Sequence, residues 1–222
     1  MEISGIIVGA GEGKRIGNRN KPFLKILDKD ILAYSFEVLK SVPEIKEIVI
    51  VLNEDNIKNS FEYLTNPNTK VVQGGRERWQ SVQNGIRNVQ HQFVLIHDAA
   101  RPIINRNFIY RIIDGMSENV SGVIPAVPVK ATIKQVSGDF FVEKTVPRDC
   151  LFEVQTPQLF RKEVLLEAYD KVCLTGITDE SVLLERLKVP VKVVEGLEEN
   201  IKITTSFDLI VAEGILKQWK QE

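Results

Sequence analysis

Two uninterrupted apolar runs constrain the fold of this 222-residue chain more than any other feature. Residues 48–52 read Ile-Val-Ile-Val-Leu, and residues 93–96 read Phe-Val-Leu-Ile. A strand that is apolar at every position is buried on both faces, which is typical of a parallel sheet covered by helices. The runs therefore predict an α/β protein whose central sheet lies between two helical layers.

Segments with helical spacing alternate with further strand patterns along the chain. The predicted helices lie at residues 31–39, 79–89, 107–116, 161–171, 179–187 and 207–219, with a short one around Phe61 and Leu64. The shorter strand patterns lie at residues 6–8, 71–72, 122–127, 152–155, 191–195 and 201–204. Ser206 precedes the last helix and is its candidate N-cap. This alternation predicts a largely parallel, twisted sheet with helices on both faces.

Residues 129–147 interrupt the alternation. In the segment 129–145, apolar and polar residues alternate on either side of a turn at residues 137–139, which read Ser-Gly-Asp. This pattern is typical of a β-hairpin. Prolines at positions 125, 128 and 147 flank it. We therefore expect a single domain over residues 1–222, from which a β-hairpin arm at about residues 129–147 protrudes.

Composition narrows the class of protein. The 29 Lys and Arg residues balance 30 Asp and Glu residues, and this net charge of −1 gives no reason to expect nucleic acid as a partner. The first residues predict neither a signal peptide nor a membrane span. Cys150 and Cys173 have no metal-binding spacing, which favours a reducing, cytoplasmic location.

A glycine-rich loop with a local excess of positive charge follows the first predicted strand. Residues 9–25 read G-A-G-E-G-K-R-I-G-N-R-N-K-P-F-L-K and hold five cations against one acid. Glycines let backbone N–H groups approach a ligand, and clustered cations suit a polyphosphate. A Walker loop is excluded because its first glycine would fall on Val8. The pattern G-x-G-x-x-G is excluded because Lys14 or Ile16 stands where it needs glycine. The loop instead resembles the signature loop of nucleotidyltransferases.

Polar residues also follow the later strands. In open α/β sheets, ligands bind beyond the carboxyl ends of the strands, so these residues are candidates for the site. Asp98 ends a buried strand, and one carboxylate together with triphosphate oxygens suits Mg²⁺. Asp98 is therefore the candidate metal ligand, although an N-cap or a salt bridge with Arg101 would also explain it. We expect His97 to be packed and hydrogen-bonded rather than catalytic.

Three residues late in the chain are each open to two interpretations. Asp179 and Glu180 begin a predicted helix, where acids favour the N-terminus, and we interpret them first as capping and packing residues and second as site residues. Lys202 lies on a predicted short strand. A lysine that points inward there needs an anion, whereas one that points outward needs nothing.

Together these motifs resemble the 2-C-methyl-D-erythritol 4-phosphate cytidylyltransferases over nearly the whole chain. The residues that carry the resemblance are Ala10-Gly11, Gly13, Arg15, Lys21, Gly74-Gly75, Ser81, His97-Asp98-Ala99-Ala100-Arg101-Pro102, Thr132, Arg148, Thr156-Pro157-Gln158, Thr178-Asp179-Glu180 and residues 200–204, Asn-Ile-Lys-Ile-Thr. The resemblance implies a three-layer, Rossmann-like nucleotidyltransferase fold. It also implies transfer of CMP from CTP to 2-C-methyl-D-erythritol 4-phosphate, giving CDP-methylerythritol and pyrophosphate, with Mg²⁺ or another divalent cation. It further implies a homodimer formed through the β-arm.

The resemblance further implies roles for individual residues. The implied nucleotide-binding residues are Ala10, Gly11, Gly13, Arg15, Lys21, Gly75 and Ser81. The implied acceptor-binding residues are Asp98, Arg101, Thr132, Arg148, Thr156 and Lys202. The implied catalytic residues are Arg15, Lys21, Asp98 and Lys202, with Asp98 also holding the metal. Thr132 and Arg148 would act across the dimer.

Three positions depart from the family pattern. Gly9 stands where the family usually has alanine, Pro22 stands where it has glutamine, and Arg76 replaces a common acid near the nucleotide base. Two alternatives also remain open from the sequence. One is a ribitol-5-phosphate cytidylyltransferase with the same fold and chemistry, and the other is a non-catalytic nucleotide-binding module.

Overall fold

A mixed sheet of eight strands organises the residues that the computed structural model describes, which are residues 1–11 and 20–219. Its strands in chain order are β1 (Ile3–Gly9), β4 (Ile45–Leu52), β5 (Thr69–Gln73), β6 (Phe93–Asp98), β7 (Gly122–Pro128), β10 (Phe152–Val154), β11 (Gln158–Arg161) and β12 (Val191–Glu195). Two short strands, β2 (Lys25–Ile26) and β3 (Lys29–Asp30), pair with each other.

The strand pairing makes the sheet mostly parallel, as predicted. β1 lies between β4 and β6, β5 extends the sheet beyond β4, and all of these pairs are parallel. At the other side, β12 pairs with β7 in parallel, while β10 and β11 pair with β7 in antiparallel fashion. β11 also pairs with β6 and so joins the two halves of the sheet. The sequence reasoning missed β11 and treated its first residue as part of a turn, because four residues are too few to display a period.

Helices cover both faces of the sheet, which confirms the three-layer prediction. They are α1 (Ile31–Lys40), α2 (Glu54–Ile57), α3 (Arg78–Ile86), α4 (Arg106–Asp114), α5 (Lys162–Lys171), α6 (Ser181–Arg186) and α7 (Ser206–Trp219), with 3₁₀ turns at Lys21–Phe23 and Tyr63–Thr65. Successive strand residues point to opposite faces. Ile7 packs in a core with α1 and α4, and Ile6 packs in a second core with α3, α5 and α6.

Two predictions about the end of the chain were wrong. Residues 201–204 do not form a strand, although the backbone N–H of Ile203 donates to the Ala100 carbonyl at 2.8 Å. Ser206 is the first residue of α7 rather than its cap. The Thr205 hydroxyl accepts from the Asp208 N–H at 3.3 Å, and the Asp208 carboxylate accepts from the Thr205 N–H at 2.8 Å. Two adjacent hydroxyl residues made the choice ambiguous from sequence.

The predicted hairpin is present as β8 (Ile133–Val136) and β9 (Val142–Val146), which pair with each other in antiparallel fashion. Its tip is apolar and exposed, with Phe140 at 87% and Phe141 at 75% of full exposure. Within the described residues, none of the helices has the length and apolar character needed to cross a membrane.

Candidate functional site

A cavity of about 440 Å³ opens at the carboxyl ends of β1, β5 and β6, where the sequence predicted the site. The backbone after β1 and after β6 lines it, together with the start of α3. Of the predicted site residues, Ala10, Gly11, Lys21, Gly75, Ser81, Asp98 and Lys202 line this cavity. Gly13 and Arg15 lie outside the described residues.

The wall beside α3 is built by close backbone approach. A Cβ atom at Gly74 would lie 2.3 Å from the Ala10 Cβ and 2.8 Å from the Ser81 Oγ. The Gly75 N–H donates to Ser81 Oγ at 3.0 Å, so this hydroxyl holds the loop against the helix. Only glycine permits this packing, and the result is a wall of backbone groups at the predicted nucleotide site.

Asp98 lies at the base of the cavity between two cations. Arg78 Nε donates to its Oδ1 at 3.0 Å, and Lys202 Nζ donates to its Oδ2 at 2.6 Å. Burial alone raises the pKa of Asp98, but the charges of Arg78 and Lys202 outweigh it and hold the pKa well below its usual range. Asp98 is therefore ionised at any physiological pH. Lys202 points inward and has the anion that an inward lysine requires. Among the described residues, the ion pairs of Asp98 are with Arg78 and Lys202, so the alternative explanation of Asp98 by a salt bridge with Arg101 is not supported.

Arg78 also contacts Glu180, which is fully buried and holds the guanidinium in place. Arg78 Nη1 lies 2.9 Å from Glu180 Oε1 and 2.8 Å from Oε2. Burial raises the pKa of Glu180, and the Arg78 guanidinium opposes that rise. The capping interpretation holds for Asp179, whose Oδ1 accepts from the Val182 N–H at 3.4 Å. Glu180 instead forms the ion pair with Arg78.

His97 is fully buried in a chain of hydrogen bonds, as its packed interpretation predicted. Its Nε2 lies 2.9 Å from the Arg101 carbonyl oxygen, which can only accept, so Nε2 carries the proton. Its Nδ1 therefore accepts from the Thr156 hydroxyl at 3.1 Å, and Thr156 Oγ1 accepts from the Asp98 N–H at 3.0 Å. Burial lowers the pKa of His97 to about 4 and keeps the ring neutral.

The remaining predicted acceptor residues lie outside this cavity lining. Arg101 Nη1 donates to the Asn200 carbonyl at 2.6 Å, and its Nη2 lies 3.4 Å from the Val154 carbonyl. Thr132 and Arg148 are exposed at the base of the hairpin, where Arg148 donates to the Lys130 carbonyl. The structure therefore brings together the predicted nucleotide and metal residues of the described chain, but it leaves Thr132 and Arg148 apart from them.

Two of the departures from the family pattern are neighbours in space. A Cβ at Gly9 would lie 3.2 Å from the Pro22 Cγ and 3.0 Å from the Leu52 Cδ2. Gly9 thus makes room for the Pro22 ring beside Lys21. Arg76, the third departure, is exposed on the cavity wall.

The family model described as 2-C-methyl-D-erythritol 4-phosphate cytidylyltransferase, IspD, matches residues 3–218. The chain belongs to the IspD family. A family member from Dehalococcoides mccartyi is 39% identical over 98% of this chain and 97% of its own length, and one from Caldanaerobacter subterraneus is 39% identical over 98% of this chain and 100% of its own length. The crystal structure of 4-diphosphocytidyl-2C-methyl-D-erythritol synthase from Anaerococcus prevotii superposes with a TM-score of 0.86 at 32% identity, over 97% of this chain and 96% of that one.

Membership of the IspD family makes the chain a nucleotidyltransferase with an α/β fold. Sequence reasoning missed the pairing of Arg78 with Glu180. The available signal was a charged residue directly before the apolar run of α6, where an acid is buried only if it has a partner.

Proposed function

We propose that the chain transfers the cytidylyl group of CTP to 2-C-methyl-D-erythritol 4-phosphate, giving CDP-methylerythritol and pyrophosphate. Family membership over residues 3–218 supports the substrates. The single structural observation that carries the chemistry is Asp98 at the base of the cavity, with Lys202 on one of its oxygens. A reacting triphosphate requires a carboxylate that binds its divalent cation and a positive side chain that contacts its phosphates, and Asp98 and Lys202 would supply these two groups.

In the proposed reaction, a phosphate oxygen of the acceptor attacks the α-phosphorus of CTP, and the bond to the pyrophosphate oxygen breaks. No covalent enzyme intermediate is needed, so the protein contributes alignment and charge neutralisation. Lys21 lies on the cavity wall and would bind the triphosphate together with Arg15. Lys202 would leave Asp98 and contact the α-phosphate instead. The Gly74–Gly75 wall and Ala10 would hold the cytidine.

A divalent cation fits this site with Asp98 as its main protein ligand. The described residues contain no group of three or more His, Cys, Asp or Glu side chains that could hold a metal. Mg²⁺ commonly binds through one or two carboxylates plus substrate phosphates, so the sparse donor set is suitable. When bound, Mg²⁺ would neutralise charge on the triphosphate. Asp98 Oδ2, the oxygen that contacts Lys202, would hold it.

The acceptor would contact residues that lie near Asp98 and on the hairpin. Arg101 and Thr156 are beside Asp98 in the chain of hydrogen bonds through His97. The Thr156 hydroxyl donates a hydrogen bond to His97 Nδ1 and accepts one from the Asp98 N–H, so its remaining lone pair would accept from a hydroxyl group of the polyol phosphate. Thr132 and Arg148 would act on the site of a second subunit in a homodimer. The exposed Phe140 and Phe141 support this proposal because apolar tips are stabilised by burial against a partner.

The test is pyrophosphate release from CTP and Mg²⁺, with 2-C-methyl-D-erythritol 4-phosphate and ribitol 5-phosphate offered in parallel. We expect turnover with the first acceptor. Preference for ribitol 5-phosphate would keep the chemistry but replace the acceptor. A sample that binds CTP and turns over neither acceptor would favour a non-catalytic nucleotide-binding module. The exposed free thiols of Cys150 and Cys173 support a cytoplasmic location for this reaction.

A further inference from the structure

The most unusual feature outside the predicted site residues is the buried ion pair of Arg78 and Glu180. These residues are 102 positions apart in the chain, at the starts of α3 and α6. Glu180 is completely inaccessible, and the Arg78 side chain is 25% exposed. Removing two charges from water is expensive, and apolar residues of similar volume often serve a core equally well. The pair therefore calls for an explanation other than stability.

The position of Arg78 in its helix points the same way. Glu77 and Gln80 form a capping box that begins α3, and the Glu77 N–H donates to Gln80 Oε1 at 2.9 Å. Arg78 is thus the first residue of the helix, where the positive end of the helix dipole disfavours a cation. Its charge is offset by Glu180 and Asp98.

The two oxygens of Asp98 are held by cations of very different mobility. Oδ1 accepts from Arg78, whose guanidinium is also held by both oxygens of Glu180. Oδ2 accepts from Lys202, whose side chain is 38% exposed. If Arg78 moved, it would leave the fully buried Glu180 without its cation, whereas if the partly exposed Lys202 moved, Asp98 would still be paired with Arg78. The geometry therefore distinguishes a fixed oxygen from an available one.

We propose that Arg78 and Glu180 are positioning residues that fix Asp98 through Oδ1 and leave Oδ2 for Lys202 or a divalent cation. The four groups have no net charge while Lys202 is in place. When Lys202 moves to a phosphate, the remaining three have a net charge of −1, which favours the binding of a cation. This inference rests on the proposed function for the role of Asp98. It adds Arg78, which lines the cavity, and Glu180, which is fully buried, as residues that act through Asp98.

Two substitutions test the proposal in the full-length protein. Glu180→Gln keeps the shape of the side chain but removes its charge, and Arg78→Lys keeps a cation but cannot span Glu180 and Asp98. We measure Mn²⁺ binding in the presence of CTP by electron paramagnetic resonance, without acceptor, and then kcat with Mg²⁺. Because residues that orient a metal ligand typically contribute a factor of 10–100, we expect Mn²⁺ affinity and kcat each to fall by roughly that factor. The KM for CTP should change much less.

Glu47→Gln is the matched control. Glu47 is also a buried carboxylate, but it lies near the start of β4, away from the cavity, and accepts from Ser4 Oγ at 2.8 Å and from the Gln90 N–H at 2.5 Å. We expect it to lower thermal stability while leaving Mn²⁺ affinity and kcat unchanged. If Glu180→Gln and Arg78→Lys behave like this control, their role is structural and the proposal is wrong.

The outcomes separate this proposal from the proposed function. If the unsubstituted protein binds Mn²⁺ and CTP without turning over either acceptor, the proposed function fails, yet the Mn²⁺ measurement still decides on Arg78 and Glu180. If Glu180→Gln does not fold, Arg78→Lys decides, because lysine still neutralises Glu180.

Discussion

The carboxyl end of β6 and the β8–β9 hairpin are built in opposite ways, although both hold residues assigned to the same reaction. At the end of β6, Asp98, His97 and Thr156 are buried, and each has hydrogen-bond partners. On the hairpin, Thr132 and Arg148 are exposed and the tip presents Phe140 to solvent.

This difference separates the part of the site that a single chain holds in place from the part that it does not. Buried, mutually hydrogen-bonded groups are held in place before any ligand arrives, so the β6 end is preorganised within a single chain. A two-stranded hairpin has no core of its own and is only marginally stable alone. If the proposed homodimer forms, the hairpin residues reach their working geometry only against the partner. Substitutions in the two regions should therefore have different signatures.

The largest expected effect in the preorganised region is that of Lys21→Ala. The substitution removes a cation from the cavity wall that, under the proposed function, stabilises the charge that develops in the transition state. We expect kcat to fall by roughly 10²–10³-fold, as for other electrostatic stabilisers, with the chain still folded. The measurement is steady-state pyrophosphate release. Lys217→Ala, in an exposed pair with Glu213 on α7, is the control and should retain full activity. Near-normal kcat for Lys21→Ala would show that the assigned role is incorrect.

The next effect should come from the hairpin and should have a different form. Deleting residues 134–141 removes the apolar tip and most of β8 while sparing the eight-stranded sheet. We expect the protein to become monomeric by light scattering and the KM for the acceptor to rise by roughly 10-fold or more, since lost hydrogen bonds to charged groups cost about 1.5–3 kcal/mol each.

The paired substitution Phe140→Ser with Phe141→Ser refines this test. It retains both strands but removes the apolar surface, so it should weaken the dimer with little change in thermal stability. A deletion variant that keeps the oligomeric state of the unaltered protein and its full activity would contradict both proposed roles of the hairpin, in the dimer and in acceptor binding.

The same contrast explains what the sequence could predict. Apolar runs such as residues 48–52, and the polar residues that follow strands, are local signals. They located the sheet, the cavity and Asp98, whereas Lys202 was assigned to the site only through the family resemblance.

Features that depend on tertiary contacts or on very short segments were not predictable. Arg78 and Glu180 meet across 102 residues, and an ion pair of this kind leaves no periodic trace in either segment. β11 has four residues, and the cap of α7 was a choice between two adjacent hydroxyl residues. Acidic residues directly before apolar helices are therefore worth testing as buried partners.

A pH-dependent effect on stability, rather than on activity, should come from His97→Gln. Burial lowers the pKa of His97 from 6.5 to about 4, so between these values the unfolded chain binds more protons than the folded one. Stability from this residue is therefore complete above pH 6.5 and is lost as the pH falls toward 4, by roughly 3 kcal/mol in total. His97→Gln should remove this dependence from urea unfolding curves, so its cost should be larger at pH 7 than at pH 4.5. His91→Gln, the other histidine, should preserve it, and an unchanged slope in His97→Gln would mean that His97 is not buried neutral.

The smallest expected effect is at the join between β1 and the glycine-rich loop. Gly9→Ala places a Cβ 3.2 Å from Pro22 Cγ and 3.0 Å from Leu52 Cδ2, so we expect it to cost about 1 kcal/mol, the low end for overpacking. Pro22→Ala removes one of these two contacts, and the double substitution should therefore be less unstable than the sum of the single ones, by roughly 0.5 kcal/mol or more. Gly214→Ala is the control, because a Cβ there meets nothing within 4 Å and alanine favours its helix. Additive costs for Gly9→Ala and Pro22→Ala would mean that the two departures from the family pattern are independent, and that Leu52 alone sets the need for glycine.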